Sequence, residues 1–153
     1  MVDEENKPGL TAKLVDSLYV EAMVLADEAR SYFDTAARDD RLALAPIDRV
    51  AFSCESLKVT TRLMHVIAWL LTQRAVGAGE LSRAQADESE RRLGLAAASD
   101  PALLPRLPDA SAELIRASEE LYERVARLDR GSFGAMQAGS PARSLLNRLE
   151  RSL

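Results

Sequence analysis

Residues that carry chemistry are scarce in this chain. It has a single cysteine, Cys54, and a single histidine, His65, in 153 residues. One cysteine excludes an internal disulfide, and such cysteine-poor composition suits a reducing cytosol. One histidine leaves little from which to build a metal site. Aromatics are 5% of the chain although hydrophobic residues are 47%. The core is therefore expected from Leu, Val, Ile and Ala, and because Val and Ile do not cluster in alternating runs, packed helices are favoured over a sheet. No window offers about eighteen clean apolar residues, so no transmembrane span is expected. The N-terminus is acidic (Asp3, Glu4, Glu5) and lacks the apolar region of a signal peptide. Net charge is −4 and the pI is near 5.1, which argues against the basic face of a duplex-binding protein. Phosphate loops, dinucleotide-binding glycine fingerprints, CxxC pairs and HExxH are all missing.

What is present is organised around residues 46–77. Ile47, Val50, Cys54, Leu57, Thr61, Met64, Ala68, Leu71 and Ala75 recur in steps of three and four, the 3.5-residue repeat of helices packed nearly parallel. A second apolar line, Phe52, Val59, Leu63, Val66 and Leu70, lies well round the same helix. Two apolar faces require two neighbours, or one neighbour and a second chain. Between them runs a polar edge of Glu55, Lys58, Arg62, His65, Trp69 and Gln73. Pro46 suits a first helical turn, and Gly77 and Gly79 can supply the left-handed stop.

The remaining segments arrange themselves about that helix. Residues 1–10 read as a disordered lead-in, being charged and carrying Pro8-Gly9. A first helix runs from Thr11 to about Ala37 on a buried line of Leu14, Leu18, Ala22, Leu25, Ala29 and Tyr32. The short connection 38–45 makes it an antiparallel hairpin with the central helix. Ser82 and Gln85 form an S-x-x-Q capping box ahead of a short, exposed helix over 83–93. Residues 96–109, with Pro101, Pro105 and Pro108, must be a loop pinned to the bundle by Leu103, Leu104 and Leu107. A third long helix spans 110–130 on Leu114, Ser118, Leu121, Val125 and Leu128. The segment from Gly131 reads as a flexible linker, and the tail beyond it puts Leu145, Leu149 and Leu153 on one helical face. Twelve residues cannot hold a helix alone in water. The fold expected is thus all-α: a three-helix bundle of long antiparallel helices over 11–130, with a short extra helix and a flexible C-terminal tail over 131–153.

Catalytic arrangements fail on geometry. Cys54 and His65 stand eleven residues apart on one helix, about 16 Å along its axis, too far for a proton transfer. Cys54 instead reads as a small core residue on the heptad line, and His65, beside Arg62 and Trp69, as a surface or boundary residue. The polar edge admits two readings. Lys58 and Arg62 repel mildly at four apart, and Trp69 beside them would anchor an interface. Alternatively, Trp69 packs under the proline loop and the charges are simply solvated. Candidate partner-binding residues are Lys58, Arg62, His65 and Trp69 on the edge, and Leu145, Leu149 and Leu153 in the tail.

The run ESLKVTTRLMHVIAWLLTQRAVGAGELS, followed later by LYERVARLDR, resembles the RcdA-like family, regulators of CtrA degradation in alphaproteobacteria. The likeness covers roughly residues 11 to 130. It implies a dimerising three-helix bundle with a flexible tail and no catalytic residues. It implies a non-enzymatic, cytoplasmic adaptor, recruited to the cell pole, that tethers cargo to the ClpXP protease. Its implied partners are a ClpX unfoldase primed by a CpdR-like adaptor, cargo such as CtrA, and a cyclic-di-GMP effector protein. No cofactor, membrane or nucleic acid is implied. The alternative from another class is a DNA-associated dimeric regulator, against which stand the acidic balance and the lack of a basic recognition helix. A metal or small-ligand enzyme is a third reading, which the missing constellations disfavour.

Overall fold

The computed structural model describes residues 2–138 and 148–152, with side chains over 11–131 and 148–152; five helices and two 3-10 turns are found over 2–138, and 148–152 are helical. The helices are α1 (Val2–Asp34), α2 (Ala37–Leu42), α3 (Pro46–Gly77), α4 (Arg83–Ala86) and α5 (Asp109–Ala138). The 3-10 turns are Ser89–Arg91 and Pro101–Arg106. No strand occurs among the described residues.

Helix α3 has the limits its sequence predicts. Pro46 sits in its first turn and Asp48 supplies the acid that complements the positive end of the helix. At the other end Ala78 N–H bonds to Arg74 O at 2.9 Å and Glu80 N–H to Ala75 O at 2.9 Å. Gly79 takes φ 77°, the left-handed conformation that this stop requires. Elsewhere the ends shift. α1 begins at Val2, where a lead-in was expected, and the connection after it winds into α2. The capping box is present in both halves, Gln85 N–H to Ser82 Oγ at 3.1 Å and Ser82 N–H to Gln85 Oε1 at 2.9 Å. It starts only one α-helical turn, because Glu88 is already extended. α5 runs through Gly131 to Ala138, past the expected linker start.

Three long helices enclose the core. Leu18, Ala22 and Leu25 of α1, Val59, Leu63, Val66 and Leu70 of α3, and Ile115, Leu121 and Val125 of α5 are all buried in it. α1 and α3 form the expected antiparallel hairpin. α5 runs parallel to α3, since Arg62 meets Ser118 and Trp69 meets Asp129. Parallel neighbours need a return crossover, which residues 78–108 supply. That crossover lies along α3 and α5, with Leu93, Leu104 and Leu107 packed into the core.

Candidate protein-interaction surfaces

The polar edge of α3 lies beneath the crossover. Glu55 and Arg62 are each 2% exposed and Trp69 is 4% exposed. For Glu55 and Arg62 this corrects the expectation of a solvent-facing edge. Trp69 is packed away as the second reading had it, though beside Arg92 and Asp129. The reason for the buried charges is in the crossover's backbone. Residues 93–100 have no regular structure, so their carbonyls need donors from side chains. Arg62 Nη2 donates to Ala97 O at 2.9 Å and to Ser99 Oγ at 2.6 Å, while its Nη1 donates to Ser118 Oγ of α5 at 3.3 Å. Lys58 Nζ donates to Ala98 O at 3.3 Å and to Glu55 Oε1 at 2.9 Å. Ser99 Oγ donates to the other Glu55 oxygen. One guanidinium therefore reaches α5 and the crossover together, which a forked cation does and an ammonium does not.

Two further contacts hold the same segment. His65 packs directly on Gly94, where an added Cβ would meet the imidazole at 2.7–2.8 Å, and Tyr122 Oη donates to Gly94 O at 2.7 Å. Glycine is needed at 94 because a ring comes that close. Asp129 accepts from Trp69 Nε1 at 2.9 Å and from Arg92 Nε at 2.7 Å. Trp69 is thus covered near Arg92, midway along the crossover, and Asp129 of α5. Of the four edge residues expected to meet a partner, Arg62 and Trp69 are closed off, and Lys58 and His65 remain partly open.

The surface that stays open is the opposite side of α3. Ile47 is 71% exposed, Val50 62%, Leu57 68% and Met64 63%, with Leu71 also exposed. Cys54 lies among them, exposed, so it is no core residue. The two apolar lines thus part: Phe52, Val59, Leu63, Val66 and Leu70 form the core, and the heptad line, on which Cys54 was expected to be buried, faces outward. Leu14 of α1 leaves its expected buried line as well, and Val15 is buried in its place. The repeat was legible in the sequence. Its outward direction depends on where α1 and α5 pack.

In the tail, Leu149 is exposed, while Leu145 and Leu153 fall outside the described residues. No group of three or more His, Cys, Asp or Glu side chains is arranged to hold a metal among the described residues, and no described helix is long and apolar enough to cross a membrane.

Comparison with known proteins adds the relationship. No curated protein matches the chain. The crystal structure of RcdA from Caulobacter crescentus superposes with a TM-score of 0.65 at 37% sequence identity, covering 78% of this chain and 91% of that one. The family model described as a protein of unknown function, DUF1465, matches residues 6–153. With the RcdA structure alongside that match, the helical bundle built on α3 belongs to DUF1465, the RcdA-like family.

Proposed function

We propose that this protein is a non-enzymatic adaptor that tethers cargo proteins to the ClpXP protease for regulated degradation. The observation that carries the reading is the outer face of α3, apolar along its length and left unused by folding, in a chain 37% identical to RcdA. An exposed contiguous apolar face of this kind marks a protein-interaction surface. Its 3.5-residue repeat fits a like helix, so a second copy of the chain is its occupant and the working form is a homodimer. Tethering then accounts for activity without catalysis. Holding an unfoldase assembly on one surface and cargo on another raises the local cargo concentration, so weak contacts suffice.

On this reading the partners are ClpX primed by a CpdR-like adaptor, cargo such as CtrA, and a cyclic-di-GMP effector, met in the cytoplasm with recruitment to the cell pole. The tail residues Leu145, Leu149 and Leu153 take part in contact. Lys58, Arg62, His65 and Trp69 contribute by fixing the crossover, whose outer side carries the fully exposed Leu95, 92% open. A reconstituted degradation assay tests this. Added to ClpXP, priming adaptor and cargo, the full chain should speed cargo loss at least about tenfold at low cargo concentration. Unchanged cargo lifetime with the complete set of components would sink the adaptor role.

A further inference from the structure

Where α3 stops, beside Thr11–Asp16 of α1, the bundle carries an open cleft of about 780 Å³. Its walls are mainly apolar, with Ala12 and Val15 on α1 and Val76 and Ala78 at the end of α3, and with Arg74 and Arg83 at its rim. Both rim cations have acidic partners: Arg74 pairs at 3.3 Å with Asp16, which also lines the cleft, and Arg83 at 3.2 Å with Asp87, which does not. Arg83 Nε is nonetheless buried with no hydrogen-bond acceptor among the described residues. A buried donor left unmatched costs about 1–3 kcal/mol, so an incoming acceptor is favoured there.

The chain itself holds a segment that fits. α5 is parallel to α3 at an offset of 56 to 60 residues, from Arg62 with Ser118 to Trp69 with Asp129. By that offset its last described residue, Ala138, is level with the end of α3 and hence with the cleft. The sequence that follows puts Leu145, Leu149 and Leu153 on one helical face, with Asn147 and Glu150 beside them. Leu149 is exposed in the structure. Leu145 is seven residues beyond Ala138, a reach of up to about 23 Å.

We propose that the end cleft is a docking site for the chain's own tail, residues 143–153, with the leucine face on Ala12, Val76 and Ala78 and with Asn147 or Glu150 offering the acceptor for Arg83 Nε. Because the tail is tethered, its effective concentration at the cleft is on the order of millimolar, and a weak contact is enough to populate the docked state. Any partner that uses the tail must first draw it from the cleft. The docking itself does not depend on what the partner is, so its failure and the failure of the adaptor reading are separable.

The test is a spin label at position 152 (Ser152→Cys in a Cys54→Ser chain) read through amide signals of the isotope-labelled full-length protein. Attenuation at Ala12, Val76 and Ala78, restored when Leu145 and Leu149 are both changed to Ser, supports the proposal. A chain stopped at Ala138 should then exchange the amides of Val76 to Ala78 about tenfold faster, equivalent to ~1.4 kcal/mol. Three outcomes would overturn it. One is no attenuation in the cleft. Another is attenuation centred on Glu28 and Glu120 of the α1/α5 groove or on the outer face of α3. The third is attenuation seen only when label and isotope are carried by different chains.

Discussion

The two sides of α3 are apolar over similar lengths, yet one is sealed by α1, α5 and the crossover while the other is open from Ile47 to Leu71. The sealed side also carries the charges. Glu55, Lys58 and Arg62 lie at its margin and spend their hydrogen bonds on Ser99, Ser118 and the carbonyls of Ala97 and Ala98. The open side has no such network. Its lines of Leu, Met, Val and Ile are laid out for shape, and nothing among the described residues covers them. One face thus stabilises the monomer, and the other is available for association. Polarity alone misleads about which is which: here the polar edge is inside and the apolar line is outside.

Breaking the sealed side should have the largest effect on stability. Arg62→Ala leaves Ser99, Ser118 and the Ala97 carbonyl without their donor and is expected to cost about 2–4 kcal/mol, read as a lower denaturation midpoint. Arg62→Lys should recover only part of that, since one ammonium does not reach both α5 and the crossover. Full recovery by Lys would show that charge, and not the fork, matters.

Breaking the open side should leave folding nearly untouched and change association. For the homodimer proposed above, Leu57→Arg with Met64→Arg should raise the dissociation constant at least about 30-fold, the counterpart of ~2 kcal/mol at a central interface position. Sedimentation velocity measures it, and helicity should stay constant. An unaltered dimer would move the interface elsewhere, and a lost fold would mean the stripe is buried within one chain.

The next contrast lies within the sealed side itself. Gly94→Ala forces the His65 ring from its place, with a cost of about 1–3 kcal/mol. Its signature should be faster amide exchange confined to residues 92–100, with the α1/α3 hairpin unchanged. Global destabilisation with no local change would contradict the role given to this contact.

The smallest effect belongs to the far end of the bundle, where Tyr32 Oη donates to Asp40 Oδ2 at 2.6 Å. Burial, and then that bond, raise the phenol above its ordinary value of 10.0. The unfolded chain therefore releases this proton first. The contribution to stability is complete below pH 10.0 and is lost as pH rises past it toward the folded value. Tyr32→Phe should cost about 1 kcal/mol near neutral pH and flatten the decline of stability at alkaline pH.

By itself the sequence determined the helical class, the limits of α3, the capping box at Ser82 and the two apolar lines of the central helix. Each of these depends on neighbours within a few residues: a proline in the first turn, a glycine at a left-handed stop, a hydroxyl three residues before an amide, a 3.5-residue recurrence. It also marked Leu103, Leu104 and Leu107 as residues that tie the proline-rich crossover down, and of these Leu104 and Leu107 pack on the core. The tertiary structure alone decided which apolar line became core, because that depends on where α1 and α5 sit around α3. It decided equally that Arg62 and Glu55 lie beneath the crossover. A charged edge reads as solvated unless one knows that a stretch without regular structure, residues 93–100, brings unpaired carbonyls against it. Those carbonyls have no sequence signature. Their need for donors arises only when the return from α3 to α5 is laid across the bundle.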